Sequence, residues 1–146
     1  MSTLLLAVAI AGEKVALPVD HIESVNELEL LVPVPRSPSH IAGLSTLRSR
    51  VLTVVDCRCA LGLGISPNRE AGAIAAIAVH DGHAYALLLD TIHGVAEARS
   101  DPFPPSGRLQ NNWADMAQGM VETDDGPLLL LEVAALIAGP PEARAA

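Results

Sequence analysis

Two stretches of this chain are written twice, and that repetition limits the folds open to it. At an offset of 70 residues Gly12 falls on Gly82, Val15-Ala16-Leu17 on Tyr85-Ala86-Leu87, Asp20 on Asp90, Ile22 on Ile92, Val25 on Val95 and Glu27 on Glu97. At an offset of 76, Ile41 falls on Ala117, Gly43 on Gly119, Leu44 on Met120, Leu52 to Val55 on Leu128 to Leu131, and Asp56 on Glu132. The offset grows by six, which places the added residues in the Pro/Gly-rich run from Pro102 to Gly107. One unit of about 70 residues used twice predicts two small subdomains, approximately 4–63 and 73–138, within a single domain spanning 1–146. A unit that small buries only about 60% of the surface its unfolded chain exposes, so two of them gain by packing over a shared apolar layer. Half of the residues are hydrophobic, yet there is one Phe, one Trp and one Tyr, so that layer must be built from Leu, Val, Ile and Ala.

Within each unit the apolar residues fall into short runs bounded by turn formers. Leu4 to Ile10 and Lys14 to Val19 form a hairpin around Gly12, Asp20 to Ser24 is a turn or helical piece, and Val25 to Val32 is a third strand. Pro33, Pro35 and Pro38 lack backbone donors and mark an exposed link. Ile41 to Leu44 and Val51 to Val55 are the fourth and fifth strands, with Arg48 and Arg50 at the bend between them. Cys57 to Gly62 is a helical turn, and Gly64 to Gly72 is a polar connector. The second unit runs through Ala73 to His80, an Asp81-Gly82 turn, His83 to Leu89, Val95 to Arg99, a long break anchored by Trp113, Gln118 to Glu122 and Leu128 to Leu131. A short helix over Glu132 to Ala138 precedes a flexible tail over 139–146. The fold class is all-β: ten short strands in two five-stranded antiparallel units, each a small barrel candidate.

The apolar run Leu4 to Ala11 lacks the basic residues of a signal peptide and aligns with Ala73 to Asp81, so it is expected to be the first strand. Net charge is -8, with one lysine among nine basic residues, a field that repels phosphate and disfavours nucleic acid and anionic lipid as partners. Cys57 and Cys59 are too close in sequence to staple a loop, which excludes a disulfide framework and points to a reducing, cytosolic setting.

Repetition also sorts the candidate site residues. Asp20, Asp56, Asp90 and Glu132 stand in matched pairs at strand ends, as cap or turn acids rather than a catalytic carboxylate pair. Arg48 has no twin, because its counterpart is Asp124, of opposite charge. It is either a solvated or ion-paired loop arginine or a charged anchor at a protein interface, with Arg50 and Arg58 nearby. His80 and His83 flank a turn without a third ligand at a supporting spacing, so no metal and no cofactor is expected, and the Cys57-x-Cys59 pair reads as core filling. No phosphate-binding loop, nucleophile elbow or His-Glu-x-x-His run is present, and no enzyme activity is expected.

Over residues 4 to 138 the chain resembles the CheW family, adaptors of bacterial chemotaxis arrays. The family pattern is a V-x-E-V-like segment, a proline-rich link and I-x-G-x-x-N-L-R-G-x-V-x-P-V-I-D-L-R. Here these stand as Ile22-Glu23-Ser24-Val25, Pro33 to Pro38, and the run from Ile41 through Gly43, Thr46-Leu47-Arg48-Ser49 and Val51 to Asp56-Cys57-Arg58, with Leu88-Leu89-Asp90 and Gly119 to Leu131 matching in the second half. The resemblance implies two SH3-like barrel subdomains on a shared apolar layer, no catalysis, and a cytoplasmic adaptor at membrane-associated receptor arrays. Its implied partners are the regulatory domain of the histidine kinase CheA and the cytoplasmic tips of methyl-accepting chemoreceptors. It also implies that Gly43, Leu47, Arg48 and Val51, with Ile22 and Val25, face the receptor. Three departures stand out. Thr46 replaces the Asn and Ser49 the Gly of N-L-R-G, and the acid is Glu23 rather than residue 24, which in an extended strand points it to the face opposite its usual arginine partner. These suggest a divergent adaptor or a regulatory module of another chemosensory pathway. A small metal- or ligand-binding barrel using His80 and His83 is the alternative from another class.

Overall fold

The structure, a computed structural model, describes residues 3–109 and 112–140. The tail expected over 139–146 falls, beyond residue 140, outside the described residues. In chain order the elements are β1 (Thr3–Ile10), β2 (Glu13–Pro18), a 3-10 turn (Val19–His21), β3 (Ile22–Glu27), β4 (Ile41–Leu47), β5 (Arg50–Asp56), α1 (Cys57–Ala60), β6 (Ile74–His80), β7 (His83–Leu88), β8 (Thr91–Ala98), α2 (Trp113–Met116), β9 (Ala117–Thr123), β10 (Gly126–Leu131) and α3 (Val133–Ala138). Two hairpins use the turn their sequence asks for. Ala11-Gly12 (φ 53° and 82°) and Asp81-Gly82 (φ 51° and 79°) place two successive residues in the left-handed region, which matches the twist of the flanking strands.

The strands form two open five-stranded sheets, ordered β8-β1-β2-β10-β9 and β3-β6-β7-β5-β4. Under the repeat, β1 to β5 correspond to β6 to β10, and the two orders then become identical. The sheets nevertheless cut across the two sequence units. The β1–β2 hairpin of the first unit lies between β8 and β10 of the second, and the β6–β7 hairpin of the second lies between β3 and β5 of the first. The purely antiparallel arrangement expected from the sequence is corrected by the same feature. β2 runs parallel to β10 (Val15↔Leu129) and β5 parallel to β7 (Thr53↔Tyr85), at junctions between the units that no connecting turn obliges to be antiparallel.

Apolar runs without polar alternation follow from both sheet faces being buried. On β1, Leu6, Val8 and Ile10 enter a layer shared between the sheets, with Leu17, Val55, Leu87, Leu89, Leu131 and Leu136. The alternate residues Leu5 and Ala7 enter a smaller core with Val121, Leu128 and Leu130. In the other sheet Leu52, Val54, Ile77 and Leu88 do the same.

The third strand is placed differently from the sequence expectation. It starts at Ile22 because a bulge at Glu23 keeps both Ile22 and Ser24 in register with β6, opposite Ala78 and Ile77. It ends at Glu27; Leu28 still bonds through its backbone to Gly72 and Ala73, and Val32 pairs in an isolated bridge to Leu44. The eighth strand likewise begins at Thr91 rather than Val95.

Candidate functional site

The β4–β5 hairpin carries most of the residues singled out in the sequence. Its turn keeps the left-handed geometry of the β1–β2 and β6–β7 hairpins, with Arg48 at φ 52° and Ser49 at φ 68°, although neither is glycine. The Arg48 side chain is exposed and makes no hydrogen bond or salt bridge among the described residues. Arg50 does: its guanidinium grips both carboxylate oxygens of Glu23. The expectation that an acid at position 23 faces away from the arginines is therefore corrected, because the bulge turns Glu23 toward the hairpin. The Arg50 hydrogen bonds, aided by the charges of Arg50 and Arg48, hold the Glu23 carboxyl below its ordinary range. Glu23, Ser24, Leu47, Arg48 and Arg50 line one open hollow of about 370 Å³.

Of the other candidates, Ile22 is half-buried at the margin of the shared core, whereas Val25 and Val51 are 39% and 60% exposed. Gly43 is buried and serves the backbone. At φ 151° it lets the Val32 segment come so close that a Cβ would strike the Val32 carbonyl, and Val32 and Leu44 exchange hydrogen bonds at 2.8 and 2.9 Å beside it. Gly119, at φ 146°, does the same for the Phe103–Met120 bridge.

These two bridges reveal a feature that the sequence reading missed. Val32, Leu44, Thr53 and Tyr85 are in register across four neighbouring segments and so share a face. The repeat places Phe103, Met120, Leu129 and Val15 in the equivalent row. That second row lies beside Leu109 and Trp113 from the longer link, and Leu129 and Val15 are only 9% and 2% exposed. Ser37 stands where Trp113 would, and the first row is bare, with Val32 55% and Leu44 37% exposed beside Val51. The signal available in the sequence was the six-residue difference between the links.

Asp56 fixes the base of the hairpin. Its side chain is fully buried; Oδ1 accepts from the Ser66 hydroxyl (2.6 Å) and the Cys59 amide (3.2 Å), and Oδ2 from the Ser66 amide and Arg69 Nε, both at 2.8 Å. Burial pushes this carboxyl up, but the bonds from Ser66, Arg69 and Cys59 together outweigh it and hold it below the ordinary carboxylate range. Arg58 is paired with Asp90, which also accepts from the Gly12 amide at 3.1 Å. Cys57 is buried, while Cys59 is only partly so. Among the described residues no three of His, Cys, Asp or Glu gather around a metal-sized space. No helix among them is long and apolar enough to cross a membrane. The arrangement offers surfaces: a hollow edged by a free guanidinium, and an apolar row.

The model of the CheW-like domain matches residues 4–140. The chemotaxis protein CheW of Thermotoga maritima is 25% identical over 132 residues, covering 90% of this chain and 85% of that protein. Among solved structures, the scaffolding protein TtCheW from Thermoanaerobacter tengcongensis has the same fold, with a TM-score of 0.77 at 21% identity over 93% of this chain and 88% of that one.

Proposed function

The chain belongs to the CheW-like domain family, and we propose that it is a non-catalytic adaptor coupling the cytoplasmic tips of chemoreceptors to the regulatory domain of the histidine kinase CheA. It acts in the cytoplasm, at membrane-associated receptor arrays, and needs no cofactor. Each sheet with the small core behind it is read as one SH3-like subdomain. The observation that carries the proposal is that the molecule bares two separate surfaces of different chemistry. The hollow edged by Arg48, with Leu47, Val51, Ile22, Val25 and the backbone support of Gly43, suits a receptor tip. The row of Val32 and Leu44 suits an apolar face of the kinase domain. Holding both partners at once raises the effective concentration of each for the other.

The test is titration of the purified protein with the kinase regulatory domain and with a receptor tip fragment. Binding of both in one complex is expected; binding of neither refutes the reading. Arg48→Glu should weaken receptor-tip binding tenfold or more while the melting temperature moves by no more than a few degrees, since Arg48 makes no hydrogen bond or salt bridge among the described residues. Unchanged affinity would make Arg48 a solvated loop arginine.

A further inference from the structure

The eight strand pairings divide evenly. Four are hairpins made within one half of the chain: β1–β2, β4–β5, β6–β7 and β9–β10. The other four, β1–β8, β2–β10, β3–β6 and β5–β7, join one half to the other. The shared layer divides in the same way. Nine of its buried residues, from Leu6 to Leu61, come from the first half, and nine, from Ala76 to Leu136, from the second. Taken alone, the first half would keep two hairpins and a β3 with no partner strand, and the second two hairpins and an unpartnered β8. Lone two-stranded hairpins are at best marginal in water.

The covalent link between the halves contributes little by comparison. Gly62, Gly64 and Ile65 are exposed, and the next residues are tied back by their side chains, with Ser66 and Arg69 bonded to Asp56. A break between Gly64 and Ile65 leaves Ser66 and Arg69 on the second half and Asp56 on the first, so these bonds become one more tie across the cut.

We propose that the molecule is an obligate pair of half-chains, 3–64 and 65–140, held together by exchanged strands rather than by the connector. Each half is the specific binding partner of the other, and the fold persists when the connector is severed. A half from a second copy offers an identical surface, so severed molecules can trade halves.

The experiment is to insert a site for a sequence-specific protease between Gly64 and Ile65 of the full chain, fold it intact, and then cut it. Light scattering should show one species with the mass of the uncut chain and the same circular dichroism spectrum. Unfolding of the cut protein should become concentration dependent, each tenfold dilution removing about 1.4 kcal/mol of apparent stability. Mixed with a mass-tagged cut copy after brief denaturation, it should yield hybrid pairs. Separation into two halves that each unfold cooperatively would overturn the proposal, and so would loss of structure on cutting, or a midpoint that ignores dilution. None of these outcomes bears on which partners the intact protein binds.

Discussion

Asp56→Asn tests whether one buried charge fixes the base of the β4–β5 hairpin. An asparagine has one acceptor where the carboxylate has two. If its NH2 group takes the place of Oδ2, it confronts two N–H donors, from Ser66 and Arg69. If it takes the place of Oδ1, the Ser66 hydroxyl can turn to accept, but the Cys59 amide loses its cap, and in either case Arg69 loses its counter-charge. Breaking a buried ion pair from one side costs about 3–5 kcal/mol. Arg69 keeps 22% of its side chain in contact with water, which recovers part of that, so the expected loss is roughly 2–4 kcal/mol, or roughly 5–15 °C in melting temperature. The pH dependence has a definite sign. A carboxyl held below its ordinary value in the fold contributes stability above its unfolded pKa, near 3.9, and loses it as pH falls through the lower folded value. Thermal unfolding of both proteins, followed by circular dichroism at pH 7 and in steps below pH 4, should show a full gap at neutral pH that narrows with acid. A gap under 2 °C at pH 7, or one that does not change with pH, would refute the reasoning.

Three further outcomes are expected. Val32→Glu should abolish binding of the kinase domain while leaving the urea midpoint nearly unchanged, because Val32 is 55% exposed; intact kinase binding would remove the apolar row from the interface. Gly43→Ala should destabilise by about 2–5 kcal/mol in denaturant unfolding, since it adds backbone strain to a collision with the Val32 carbonyl, and a neutral result would contradict the close approach. Ser45→Ala should stabilise by about 1 kcal/mol, because the Ser45 hydroxyl is buried with no hydrogen-bond partner among the described residues, at a position where the repeat has Val121; destabilisation would mean that the hydroxyl has a bound water or partner.

Much of this architecture is legible in the sequence, and the failures have identifiable causes. Matching Gly43 to Gly119 and Asp56 to Glu132 locates equivalent positions correctly, down to the amides of Asp56 and Glu132, which donate at 2.7 Å to His40 and Met116, themselves 76 residues apart. What a repeat cannot convey is pairing. Spacing is the same whether a unit's first hairpin stays with its own third strand or crosses to the other unit, so the exchange and the two parallel junctions were hidden. The Glu23–Arg50 clasp was missed because strict alternation assumes an unbroken ladder, and one extra residue on β3 re-aims the acid. Val32 and Leu44 drew no notice because an exposed aliphatic residue means nothing by itself. Only their alignment across four segments makes a surface.

A duplicated body might be thought to bind everything twice, and the unequal links prevent it. The second half lays its own Leu109 and Trp113 beside its equivalent of the row that the first half leaves bare, so the two rows are not interchangeable. A neighbour that docked on the bare row would meet one such row in each molecule, among the described residues.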